Sequence, residues 1–160
     1  MTDSLITNAR LLDPATGMDR PGSLLIRAGL IAAHGSINAD VPTLDGQGAI
    51  LAPGLVDMRA SLGEPGYEYR ETIASAASAA AAGGITTIAA LPNTSPAIDD
   101  PALIHFLRAR GEETGSLTLL PYGAITRSCR GEDMAELGLM HQAGAAGFTD
   151  GTTPLGNARL

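Results

Sequence analysis

Between Glu71 and Asp99 the chain carries no charged residue, and this span constrains its fold more than any other feature. The first part, Thr72 to Ala82, is alanine-rich with high helix propensity, and Gly83 is placed to end a helix there. The second part, Ile85 to Leu91, is apolar and partly β-branched, as expected of a strand buried on both faces. A helix of such small side chains predicts close packing against a neighbour. The span is long enough to pass for a membrane helix, but Ala, Ser, Thr and Gly insert poorly into lipid, and Gly83-Gly84 and Pro92 interrupt it. A buried helix followed by a buried strand is the expectation.

The alternation continues on both sides. Ile50 to Val56 reads as a buried strand emptying into a loop that Glu64-Pro65-Gly66 closes. Asp100 before Pro101 predicts a helix start, with Leu103, Phe106 and Leu107 as its apolar stripe and an end near Gly111 or Gly115. Leu117 to Ala124 reads as a third strand. Met134, Leu137 and Met140 mark a third helix before Gly144, and Ala145 to Thr149 a fourth strand ending at Asp150. Strands and helices alternating at this pitch make βαβ units of a parallel sheet.

The expected class is therefore α/β, the N-terminal half of a TIM-type (β/α)8 barrel, incomplete within 160 residues. Residues 51–160 would supply its first four β/α units. In residues 1–50, the pieces Ser4 to Ile6, Ser23 to Ile26 and Leu30 to Ala33 are separated by Asp13-Pro14, Pro21-Gly22 and Gly35, which predicts a small β unit. A half barrel leaves strand edges and one sheet face open, so the chain is expected to be a fragment or a piece of something larger.

A formal charge of −7 without a basic cluster argues against nucleic-acid or anionic-membrane partners. Cys129 is the single cysteine, so no internal disulfide is available, and no secretory signal opens the chain; a cytoplasmic location is expected. Arg127 and Arg130 flank Cys129 and are of the kind that lowers a thiol pKa, against the plainer reading of an inert loop thiol.

Ala52 to Gly66 reads Ala-Pro-Gly-Leu-Val-Asp-Met-Arg-Ala-Ser-Leu-Gly-Glu-Pro-Gly. It resembles the first-strand motif of the dihydroorotases, cyclic amide hydrolases of the amidohydrolase superfamily, in which Pro-Gly-Leu-Val-Asp leads to His-x-His-Leu-Arg-Glu-Pro-Gly. In that family the two histidines hold a divalent metal and the arginine grips the substrate carboxylate. Here Arg59 and Ser61 stand at the histidine positions and Gly63 at the arginine position. Further landmarks are Ala79 to Thr87 and Pro92 to Pro96. The resemblance also implies that residues 1–50 belong to a β-sandwich completed by strands from the far C-terminus.

Side chains at i and i+2 of a strand point the same way, which lets His-x-His chelate one ion. A guanidinium has no lone pair to give and repels a dication. No catalytic residue and no metal are therefore expected, and zinc only if an active enzyme is present. Asn93, in Leu91-Pro92-Asn93-Thr94, matches the family's Met-Pro-Asn-Thr, whose Asn helps hold the substrate; a loop Asn also braces its own turn. Asp150 matches the first Asp of Ser-Asp-Asp-Gly, a metal-bridging position in some members, and is a vestigial ligand position here; Gly151 replaces the second Asp. Asp57 is expected to anchor the loop by hydrogen bonding. His34, His105 and His141 match no ligand and are expected at the surface or its boundary. An Arg59–Asp150 ion pair, direct or through one water, is expected to brace the site in place of a cation.

The resemblance implies a dihydroorotase-like protein of pyrimidine biosynthesis that has lost catalysis and serves as a structural partner of aspartate transcarbamoylase, or self-associates. The alternative is an active metal-dependent cyclic amidohydrolase of the dihydroorotase, allantoinase or hydantoinase kind. A half-barrel fragment with no function of its own is the third reading.

Overall fold

The computed structural model describes residues 3–160. They form two compact units, divided between Pro53 and Gly54.

The first unit is one mixed sheet of five strands: β1 (Ser4–Asp13), β2 (Met18–Arg27), β3 (Leu30–Gly35), β4 (Thr43–Asp45) and β5 (Ile50–Leu51). β1 lies at its centre, antiparallel to β2 and parallel to both β4 and β5. Leu5, Ala9, Leu11 and Leu25 are its buried residues. β4 escaped the sequence reading because three residues are too few to show an alternation, and β5 was read as the start of a longer strand.

The second unit is a four-stranded parallel sheet in the order β6 (Leu55–Ala60), β7 (Ile85–Ala90), β8 (Thr118–Gly123), β9 (Gly147–Phe148). The helices α1 (Ile73–Ala82), α2 (Pro101–Thr114) and α3 (Leu137–Gln142) connect the strands in turn, as the half-barrel expectation requires. The run Ile50 to Val56 is not one buried strand. It breaks at Ala52-Pro53-Gly54, where Pro53 has no N–H to give a ladder and a side chain on Gly54 would meet Thr86 Oγ1 at 2.2 Å. Leu55, Val56 and Met58 are exposed on β6, the outermost strand of the sheet.

Both long helices start where their caps predict. Thr72 and Ser75 form a reciprocal capping box on α1, and Asp100 accepts from Ala102 N–H at 2.7 Å on α2. The α2 stripe differs from expectation. Ile104, Leu107 and Gly111 face the core, Leu103 is only partly buried, and Phe106 is 37% exposed. α3 is shorter than the apolar spacing suggests, because Met134 belongs to the preceding loop, bridged to Thr126, and is 47% exposed. The fourth strand shrinks to Gly147–Phe148.

The core between the helices and the sheet includes Ile73, Ala76, Ala77 and Ala80 of α1 with Ile88, Ile104, Leu107, Leu119 and Met140. The alanines of α1 do what their size allows and let the helix lie close to its neighbours. Gly111 does the same for α2: a Cβ there would come within 2.5 Å of Leu119 Cβ on β8. Gly111→Ala therefore sets a helix-propensity gain of about 1 kcal/mol against an overpacking cost of about 1–3 kcal/mol. The variant is expected to be the less stable one, read as a lower urea midpoint with an unchanged slope.

Candidate functional site

The C-terminal ends of β6 to β9 and the loops that follow them bring the sequence-selected residues to one rim. Arg59 lies one residue before the end of β6 and Ser61 just beyond it; both are exposed. Asp57 accepts from the Arg59 backbone N–H at 2.9 Å and so fixes the strand end. Above this end, Tyr122 of β8 reaches over β7 and donates its hydroxyl to the Met58 carbonyl at 3.3 Å.

Gly63 sits in a fold of the backbone. A Cβ at this position would lie 2.4 Å from the Glu71 carbonyl oxygen and 2.7 Å from that of Tyr67, and the Tyr67 N–H donates to the Gly63 carbonyl at 2.6 Å. An arginine cannot start from this position until the 67–71 backbone moves. The next residue, Glu64, is 5% exposed; it accepts from Ile73 N–H at 2.9 Å and from Arg110 Nε at 3.0 Å. Its carboxylate caps the first turn of α1, where free N–H groups favour a negative charge, and joins it to α2. Glu64, followed by Glu113, raises the pKa of the Arg110 guanidinium through hydrogen bonds. Sequence reading found Glu64 only as a landmark. The signal available was a helix start with no acidic residue in its first turn.

The loop after β7 meets the loop after β6 through Ser95 N–H, which donates to the Pro65 carbonyl at 3.1 Å. Asn93 turns away from this contact. Its Nδ2 donates to the Asp150 carbonyl at 3.1 Å, and its Oδ1 is buried without a partner. A Cβ on Gly151, whose φ is +63°, would sit 1.6 Å from that oxygen. Gly151 thus accommodates the Asn93 amide, and an aspartate at 151 would displace it.

The direct Arg59–Asp150 ion pair does not form. Asp150 is buried, and its carboxylate accepts from Ile125 N–H at 2.8 Å, from Thr126 N–H at 2.9 Å and from the Thr126 hydroxyl. Among the described residues Arg59 has no ion-pair partner. The donors satisfy Asp150 without a cation, and they come from a segment in which the sequence reading saw no functional signal. A divalent ion does not fit the residues present. Arg59 offers no lone pair, Ser61 only a hydroxyl, Asp150 is engaged, and no three of His, Cys, Asp and Glu converge among the described residues. His34, His105 and His141 are all exposed.

Cys129 runs against the effect expected of its arginine neighbours. It is buried, and burial, followed by the charges of Asp150 and Asp99, pushes its thiol up to about 11. Relative to the ordinary value of 9.0, that is a thiolate fraction about a hundredfold smaller near neutral pH. Native protein is therefore expected to react with iodoacetamide about a hundredfold more slowly than urea-unfolded protein at the same pH, followed by mass spectrometry.

A family model described as Dihydro-orotase-like matches residues 48–158. Curated relatives include the dihydroorotase of Pelobacter propionicus, 43% identical over 159 residues that make up 98% of this chain and 38% of that protein. The dihydroorotase of Pelotomaculum thermopropionicum is 44% identical over 158 residues, 98% of this chain and 37% of that protein. Among solved structures, the L-hydantoinase (dihydropyrimidinase) of Arthrobacter aurescens superposes with a TM-score of 0.74 at 26% identity, covering 92% of this chain and 32% of that one. A D-hydantoinase superposes at 0.66 and 17% identity, covering 92% of this chain and 39% of that one, a likeness of fold alone. The chain thus spans about 38% of the length of the curated relatives it matches, and its parallel sheet is a partial amidohydrolase barrel. By its sequence over residues 48–158 and by the half barrel those residues build, the chain belongs to the dihydro-orotase-like family.

Proposed function

We propose that this chain is part of a dihydroorotase-like protein of pyrimidine biosynthesis that does not hydrolyse dihydroorotate and serves as an assembly partner of aspartate transcarbamoylase. The observation that carries the reading is the packing at the altered positions. Gly63 and Gly151 stand where the resembling enzymes carry an arginine and an aspartate, and the surrounding chain occupies the space where those side chains would begin. Arg59 and Ser61 stand at the histidine positions and offer no ligand set for a dication. Asp57, Glu64 and Arg110 hold the frame through hydrogen bonds of their own. Such a chain has the shape of its relatives without the means of making water nucleophilic on a metal.

The alternative, an active cyclic amidohydrolase, draws support from relatives named dihydroorotase at 43% identity. It requires the metal to be held by donors other than those at the end of β6.

The full-length protein, purified and assayed with dihydroorotate, is expected to show no turnover above the uncatalysed rate and no zinc at unit stoichiometry, and to co-elute with aspartate transcarbamoylase. Turnover together with bound zinc would establish the alternative. A reversion of Arg59 and Ser61 to histidine with Gly63→Arg is expected to restore no activity and to destabilise the fold. The Gly63→Arg change alone costs about 1–3 kcal/mol or more in overpacking, measurable by urea unfolding of the single variant.

A further inference from the structure

Asp150 is 2% exposed, and no cation among the described residues lies within ion-pair distance of it. A carboxylate withdrawn from water without a counterion persists only where several donors face it. Three do. Oδ1 accepts from the N–H groups of Ile125 and Thr126, and Oδ2 from the Thr126 hydroxyl.

All three donors belong to the loop after β8, and that loop hangs on Thr126. Thr126 is fully buried; its Oγ1 accepts from Gly131 N–H at 2.8 Å and its carbonyl from Cys129 N–H at 3.0 Å. On the other side, the backbone carbonyl of Asp150 receives the Asn93 amide from the loop after β7. One residue following β9 therefore holds two neighbouring loops, by its side chain and by its main chain. Oδ2 keeps a second lone pair, but the residue is 2% exposed, so a metal ion could reach it only after the loop that carries Thr126 had moved.

We infer that Asp150 is the lock of this rim, a positioning residue that ties the loops after β7 and β8 to the end of β9 through donors of the chain itself and is thereby closed to a metal ion. The closure to metal rests on the non-catalytic reading above, whereas the loop tie stands without it.

Amide hydrogen exchange on the full-length protein tests the inference, comparing wild type, Asp150→Asn and Thr126→Val, each with and without added zinc chloride. Asp150→Asn is expected to speed exchange at Ile125 and Thr126 by on the order of tenfold or more while leaving α1 unchanged. Thr126→Val removes a single hydroxyl and is expected to speed exchange at Gly131 while sparing Ile125, so it carries the test even where Asp150→Asn fails to fold. Zinc is expected to change neither pattern. Unchanged exchange at Ile125 and Thr126 in Asp150→Asn, or at Gly131 in Thr126→Val, would overturn the lock. Zinc bound at unit stoichiometry by the wild type and lost in Asp150→Asn would overturn the closure. Dihydroorotate turnover with the exchange results standing would sink the non-catalytic reading and leave the loop tie intact.

Discussion

Glu64 is a carboxylate withdrawn from water in the turn after β6, and its two contacts set the geometry on which the half barrel depends. One oxygen accepts the first N–H of α1, the other the Nε of Arg110 on α2. The end of the first barrel strand is thereby fixed to the start of the helix that follows it and to the helix after that. A buried carboxylate left without such donors costs several kcal/mol, so each of these groups holds the others in place. The alanine face of α1 completes the arrangement by letting the helix pack as closely as its neighbours require.

Asp150 repeats this logic at the other end of the sheet with different donors. Its carboxylate is met by two backbone amides and one hydroxyl, with no ion-pair partner among the described residues. Between the two, the loops after β6 and β7 are joined by the Ser95 to Pro65 hydrogen bond, and those after β7 and β8 by Ala124 N–H donating to the Ile98 carbonyl at 2.7 Å. The rim is thus a chain of hydrogen bonds running from strand to strand. Its members are mostly backbone groups, so it does not depend on the side chains of Arg59 and Ser61.

Much of the barrel half was legible in the sequence because its signals are local. Thr72, Asp100-Pro101, Gly83 and Gly115 mark helix ends within a residue or two, and the β-branched run from Ile85 lies where a parallel strand forms. The segment 124–136 was misread for a physical reason. Met134, Leu137 and Met140 have helical spacing, but hydrogen bonds from Arg127 N–H to the Asp133 carbonyl and from Ala135 N–H to the Ile125 carbonyl pull the first of them back into a loop. Partners of Asp150 lie 24 and 25 residues away, and Glu64 meets Arg110 across 46. No periodicity announces contacts of that range. At the site, residue types mark where the chain departs from the motif it resembles, and the fold shows what fills the space.

The close approach at Gly63 bears on the history open to such a protein. Any route by point substitution from this chain to one with an arginine there passes through a form whose 67–71 backbone is forced apart before any benefit of the new side chain is felt. At Gly151 the obstacle is softer, since a side chain there meets only the terminal amide of Asn93, which can swing aside at the loss of its bond to the Asp150 carbonyl. Gly63 thus acts as a one-way catch, leaving the exposed positions of the rim free to drift while a longer side chain at its own position must wait for the backbone to give way.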